Sequence, residues 1–330
     1  MTILRLEGLE PDNLLAFLAL LGLLRSLEAV DDGRPAGEQL HPRVAWDLDR
    51  SPLRPVLHVA ATVSAAQVAE LAAAGLARLA EAHDLGGRPD PDYPQPEARA
   101  LLWEAADSAN ASRRERADVM AALMTDAAVK DATDSAQAPV EPTPLCLLFG
   151  QGHQHFLERF ARVVSVTSPP PRGRGRAAIV LSADECLAEA LYAPWHRSDP
   201  TAAFRWDPEE DVRYALMAGN PTASAYKGGT QHGANRLAAA GLVVLSVVPQ
   251  RRRGRVRPAV PGGAWNETGF SFAWPVWRDA ASLAAVRALL AHPGLRDPGG
   301  VSHLGVVHVF STRRISVGKF MNFSRGRVIT

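Results

Sequence analysis

No polar side chain interrupts the run Leu14–Leu24 (LLAFLALLGLL), which is bounded by Asp12 and Arg25. It falls well short of the roughly 20 apolar residues that cross a bilayer. Glu7, Glu10 and Asp12 precede it and no small-residue cleavage site follows, so it lacks the form of a signal peptide. What remains is a helix that is apolar all round, and such a helix belongs inside a fold. Pro11-Asp12-Asn13 can start it, because Asp or Asn at the N-cap accepts hydrogen bonds from the first free amides. Asp31-Asp32-Gly33 ends it. The rest of the chain has to supply the elements that cover this helix. At 330 residues and 47% apolar it has the material for one large or two smaller domains.

The flanking text predicts those elements. TILRLEG (2–8) alternates as a short strand does, and 42–61 reads as a strand pair around a proline-rich turn. Ser64 caps an Ala/Leu-rich helix to about residue 84, and 97–130 reads as helix after a Gly/Pro loop at 85–96. The stretch 131–144 is polar and carries prolines, so a mostly helical part, 1–140, is expected before a mixed part with basic loops, 141–330, although the two can form one continuous domain. In the second part, helix is expected over 145–164, 179–193 and 280–291. Residues 233–248 read as helix then strand, and strands are expected at 268–276, 304–310 and 313–318. In GFSFAWPVW, alternation suits a strand that carries Phe270, Phe272, Trp274 and Trp277 into the core, together with Trp265. Helices come first and strands gather late, which predicts an α+β fold with antiparallel sheets.

Net charge is +1, but its chemistry is lopsided: only Lys130, Lys227 and Lys319 are lysine among 36 basic residues. Arginine's planar fork suits phosphate and carboxylate. Three segments concentrate it: Arg172, Arg174 and Arg176 alternate with glycine; Arg251, Arg252, Arg253, Arg255 and Arg257 crowd one turn; and Arg313, Arg314, Lys319, Arg325 and Arg327 lie near the C-terminus with Phe310, Phe320 and Phe323 among them. Basic turns can follow a phosphate backbone and aromatics can stack on bases. A solvated, self-repelling loop is the competing reading of each. Lys227-Gly228-Gly229-Thr230 is a candidate anion-binding turn, although it lacks the GxxxxGK[ST] order; its glycines would permit a tight turn or close backbone approach.

Catalytic patterns are absent. His153 and His155 are two apart, do not share a helix face and have no further ligand at useful spacing, so no metal is expected. No GxSxG elbow occurs. Ser302-His303 and His308 lie in apolar text that reads as strand. Asp207, Glu209, Glu210 and Asp211 read as the capped, acidic first turn of a helix from Pro208 to about Met217. No cofactor is expected. Two distant cysteines, Cys146 and Cys186, suit a reduced, cytoplasmic setting better than a disulfide scaffold.

Several stretches together resemble the large-subunit proteins of type I CRISPR interference complexes, especially those of type I-G (formerly I-U). They are LEGLEPDNLLAFLALLGLLRSLE, FRWDPEEDVRYALMAGNPT, GANRLAAAGLVVLSVVP, FSFAWPVW and VFSTRRISVGKFMNF, in that order, under a third of the chain. The resemblance implies a non-catalytic subunit that works with other effector subunits on guide RNA and target DNA, with a mixed α and β fold and no membrane. It also implies a helical C-terminal part, from which the strand-like end of this chain departs, and the chain is short for a large subunit. Two other classes compete: a hydrolase with a scattered site around His153, His196, Asp199 and Asp207, metal-dependent or not, and a protein–protein scaffold whose arginines meet acidic surfaces.

Overall fold

The computed structural model describes residues 1–86, 88–107, 111–130, 137–147, 155–173, 175–210, 229–317 and 320–330. In chain order its elements are β1 (Thr2–Arg5), α1 (Leu14–Asp31), β2 (Arg43–Asp47), β3 (Arg54–Val59), α2 (Ala65–His83), α3 (Gln95–Ala106), α4 (Ala111–Leu123), β4 (Met124–Val129), β5 (Val140–Pro142) and α5 (Phe156–Ser165). There follow α6 (Ala183–Tyr192), α7 (His232–Leu242), β6 (Val248–Arg252), β7 (Arg255–Ala259), β8 (Gly263–Asn266), β9 (Gly269–Trp277), α8 (Leu283–Ala291), β10 (Val306–Val317), β11 (Phe320–Phe323) and β12 (Arg327–Val328). The fold is α+β: helices dominate the first half and antiparallel strands the last third.

The apolar run is the central helix. Asn13 caps α1 by accepting from the Ala16 amide, and Leu14–Leu24 is buried on every side. Two helices approach it at backbone distance. On α7, Gly241 lies against the Leu18 carbonyl of α1, while Gly22 of α1 lies against the Leu237 carbonyl of α7. On α2, Gly75 lies against the Ser26 carbonyl. Helix α7 is buried along its whole length. The C-terminal sheet, ordered β11-β10-β9-β8 with β12 on β10, covers another side: Trp274 stacks on Phe17 at 5.6 Å and its indole N–H donates to the Pro11 carbonyl. The sheet β1-β3-β2 is tied in by Trp277, whose indole donates to the Val44 carbonyl. Residue 140 falls inside the β4–β5 pair, and α1 from one side of it packs on α7 from the other.

Several expectations change in detail. The helix expected over 97–130 breaks twice. Residues 124–129 are strand because they pair with Val140–Pro142, and the Thr143 amide donates to the Leu123 carbonyl, partners that local propensity does not contain. The strands at 304–310 and 313–318 are one strand, β10, since Ser311 and Thr312 continue the ladder to Ala273 and Phe272. Ser302-His303 is not strand but a short 3-10 turn. Helix α5 begins only at Phe156; residues 145–147 are not helical and 148–154 lie outside the described residues. Residues 208–210 form a turn, and the remainder of the expected helix, 211–217, also lies outside. No helix among the described residues is long and apolar enough to cross a membrane.

Candidate functional site

The arginine-rich segments part ways in three dimensions. Arg251–Arg257 is not a loose turn but a β-hairpin in which β6 and β7 pair from Val248↔Ala259 to Arg252↔Arg255. Arg253 (φ 48°) and Gly254 (φ 81°) form the two-residue connection, the left-handed geometry of a tight hairpin. Period two then sorts the side chains. Arg251 and Arg253 are exposed and Arg252 half-buried. Arg255 and Arg257 share the inward face: Arg255 donates to Glu141 of β5 at 2.7 Å, and the Arg257 guanidinium lies 4.6 Å from the centre of the Trp265 ring. Arg314 of β10 lies over the same ring at 4.9 Å and donates to the Pro144 carbonyl. Burial, with the neighbouring Arg257 adding to it, pulls the Arg314 guanidinium below its ordinary pKa. Arg313 points outward, as does Arg327.

Other expected contacts are already used inside the protein. Arg172 donates to both oxygens of Glu189 (2.8 and 2.8 Å) and both of Asp199 (2.7 and 3.0 Å), so its fork is turned to carboxylates rather than to solvent. Those hydrogen bonds raise its pKa. Arg325 joins Glu10, Asp12 and Glu209, pinning the C-terminal strand to the entry of α1. Phe310 and Phe323 are buried in the sheet core and offer no surface for a base. Arg174, Lys227, Gly228 and Lys319 lie outside the described residues, as do the side chains of Arg176 and Phe320. Gly229 is a close-approach glycine: a Cβ there would sit 2.2 Å from the Arg197 carbonyl.

A partly buried ionic network joins residues that sequence reading scattered over separate motifs. Asp199 also accepts from the His232 amide, and its backbone pairs with Thr230. Gln231 bridges Glu189 and the His196 amide. Asp207, fully buried, accepts from Arg197 (2.7 Å), from the side chain of the α1 cap Asn13 (2.9 Å) and from the Glu209 amide (3.0 Å). Burial and the nearby Asp207 push the Glu210 carboxyl up to about 8. From α7, Arg236 reaches the Val164 and Thr167 carbonyls while His232 bonds Val166, so α7 closes the C-terminal end of α5. Burial, then repulsion from Arg236, pulls the His232 imidazole down to about 4. Arg236 and His232 gave no signal in the sequence, since they belong to no recognisable motif in the mostly small and apolar text of α7.

This network is arranged to hold loops. The oxygens of Asp199 and Asp207 are engaged by arginines and backbone amides, which leaves the two carboxylates proposed for a scattered site already partnered. His196 sits on the rim, 3.9 Å from Glu189; His153 lies outside the described residues. Among the described residues no three His, Cys, Asp or Glu side chains converge as metal ligands. Burial pushes the Cys186 thiol up to about 11, the opposite of an activated nucleophile. No protein-family model matches the chain, and no characterised protein matches it in sequence.

Proposed function

We propose that this protein is a non-catalytic, nucleic-acid-binding subunit of a CRISPR effector assembly that works alongside guide RNA, target DNA and other effector subunits. One observation supports the nucleic-acid part above the rest. The β6–β7 hairpin carries Arg251, Arg252 and Arg253 at its tip, with Arg251 and Arg253 exposed and Arg252 half-buried, and among the described residues the only ion pair there is the exposed one between Arg253 and Glu267. Exposed guanidiniums suit a phosphate-backbone contact, and carrying them on a paired hairpin rather than a loose loop lowers the ordering cost of binding. The ordered sequence resemblance supplies the assembly part of the proposal.

The test is equilibrium binding of single- and double-stranded oligonucleotides over a salt series. Log affinity should fall linearly with log salt. Arg251→Ala/Arg252→Ala/Arg253→Ala should weaken binding and flatten that line by about 0.7 to 0.9 for each phosphate that the variant no longer neutralises. Unchanged affinity and slope in the triple variant would remove the hairpin tip from the interface. Affinity purification from the native host should return repeat-derived guide RNA with other effector subunits. A clean protein free of nucleic acid would remove the assembly reading.

A further inference from the structure

Two hairpin turns meet through one ion pair. Arg253 sits in the connection between β6 and β7, and Glu267 in the connection between β8 and β9, which closes at Asn266↔Gly269. Their side chains meet at 2.7 Å and are 75% and 76% exposed. Neither turn depends on these side chains. The first is closed by the Arg252↔Arg255 pair. The second is held by Asn266 Oδ1, which accepts from the Thr268 amide at 3.0 Å and its hydroxyl at 2.8 Å. Among the described residues the Arg253 guanidinium and the Glu267 carboxylate have no partner but each other.

Arg253 also carries a backbone cost. Its φ of 48° is left-handed, a conformation that glycine and asparagine adopt readily and arginine does not. An ion pair this exposed contributes too little to stability to offset that cost. A strained residue that the fold does not need points to a role outside the fold. What Arg253 holds here is an anion, on a guanidinium open to solvent.

We infer that Glu267 is a displaceable stand-in for a nucleic-acid phosphate: it occupies Arg253 in the free protein and gives way when a phosphate arrives. This rests on the nucleic-acid function proposed above. Carboxylate and phosphate oxygens accept from the same guanidinium donors, so the two compete for one cation. Glu267 therefore lowers affinity, by about the two- to fivefold that an exposed pair is worth.

The experiment measures binding of a labelled oligothymidylate and a labelled DNA duplex by the full chain and by Glu267→Gln, Arg253→Asn and the double variant, with a urea midpoint for each. Glu267→Gln should bind about two- to fivefold tighter at low salt with an unchanged midpoint, and the gain should shrink as salt screens the pair. Arg253→Asn should bind about three- to tenfold more weakly and lose about 0.7 (single strand) or about 0.9 (duplex) from the salt slope. Its midpoint should equal or exceed the parent's, because asparagine suits the turn. In the Arg253→Asn background, Glu267→Gln should gain much less than it does alone. An undiminished gain there would make Glu267 a general repulsive charge and overturn the displacement. A lower midpoint in Arg253→Asn would make the pair a structural contact and overturn it as well. Unchanged affinity in Glu267→Gln, with the parent binding both probes, would overturn it and leave the nucleic-acid function standing. A parent that binds neither probe would overturn both.

Discussion

Replacing Gly22 by alanine sets two well-understood effects against each other. Glycine inside a helix is about 1 kcal/mol less favourable than alanine, so helix propensity alone makes Gly22→Ala stabilising. Packing says the reverse. An alanine Cβ at this position would lie 1.8 Å from the Leu237 carbonyl oxygen and 2.5 Å from its carbon, both backbone atoms of α7. Helices α1 and α7 would have to part by roughly 1.5 Å to restore van der Waals separation, and a gap of 0.5–1 Å already forfeits a quarter to a half of each dispersion contact. Overpacking costs about 1–3 kcal/mol where side chains can rotate away; a backbone carbonyl cannot, which puts this case at about 3 kcal/mol or more. The net expectation is a loss of about 2 kcal/mol. Urea titration should show a lower midpoint at unchanged slope. Gly37→Ala is the control, since nothing lies within 4 Å of its added Cβ. Gly241→Ala should act similarly, through Leu18. The double variant should cost much less than the sum, because one separation of the helices accommodates both methyls. A Gly22→Ala protein as stable as the parent or more stable would refute the backbone-contact account of this crossing.

The remaining expectations concern the buried charges. His83 and His232 are each pulled down to about 4, chiefly by burial, and each is neutral in the fold. The unfolded chain binds protons at these residues below its ordinary imidazole pKa of 6.5, so stability should decline as pH falls from about 6.5 towards 4, by on the order of 3 kcal/mol per histidine. A flat melting temperature across that window would contradict their neutral burial. Arg172→Ala strands the buried Asp199 carboxylate without its partner and should cost about 3 kcal/mol, read by thermal unfolding. Asp199→Asn in that background should recover part of the loss, because it removes the stranded charge. Trp274→Phe keeps the ring stacked near Phe17 but leaves the Pro11 carbonyl without its donor, and should cost about 1 kcal/mol by the same measurement.

Local text carried the centre of the fold. An unbroken apolar run fixed α1 as buried, since no arrangement in water tolerates it on a surface. Asn13 and Ser64 placed two helix starts, because caps act between near neighbours in sequence, and GFSFAWPVW read as a core strand, although the fold buries both of its faces rather than the one that alternation implies. Tertiary contacts decided the rest. Met124–Val129 became strand only when Val140–Pro142 came alongside. The arginines show the division most clearly. Composition marked them all as cations, yet spatial partners far away in the chain gave each its role. Arg172 went to Asp199, Arg325 to the entry of α1, and Arg257 and Arg314 to one indole, while Arg251 and Arg313 stayed at the surface. A guanidinium's charge belongs to the residue, but whether it meets a carboxylate, a ring or solvent depends on what the fold brings within a few ångströms of it.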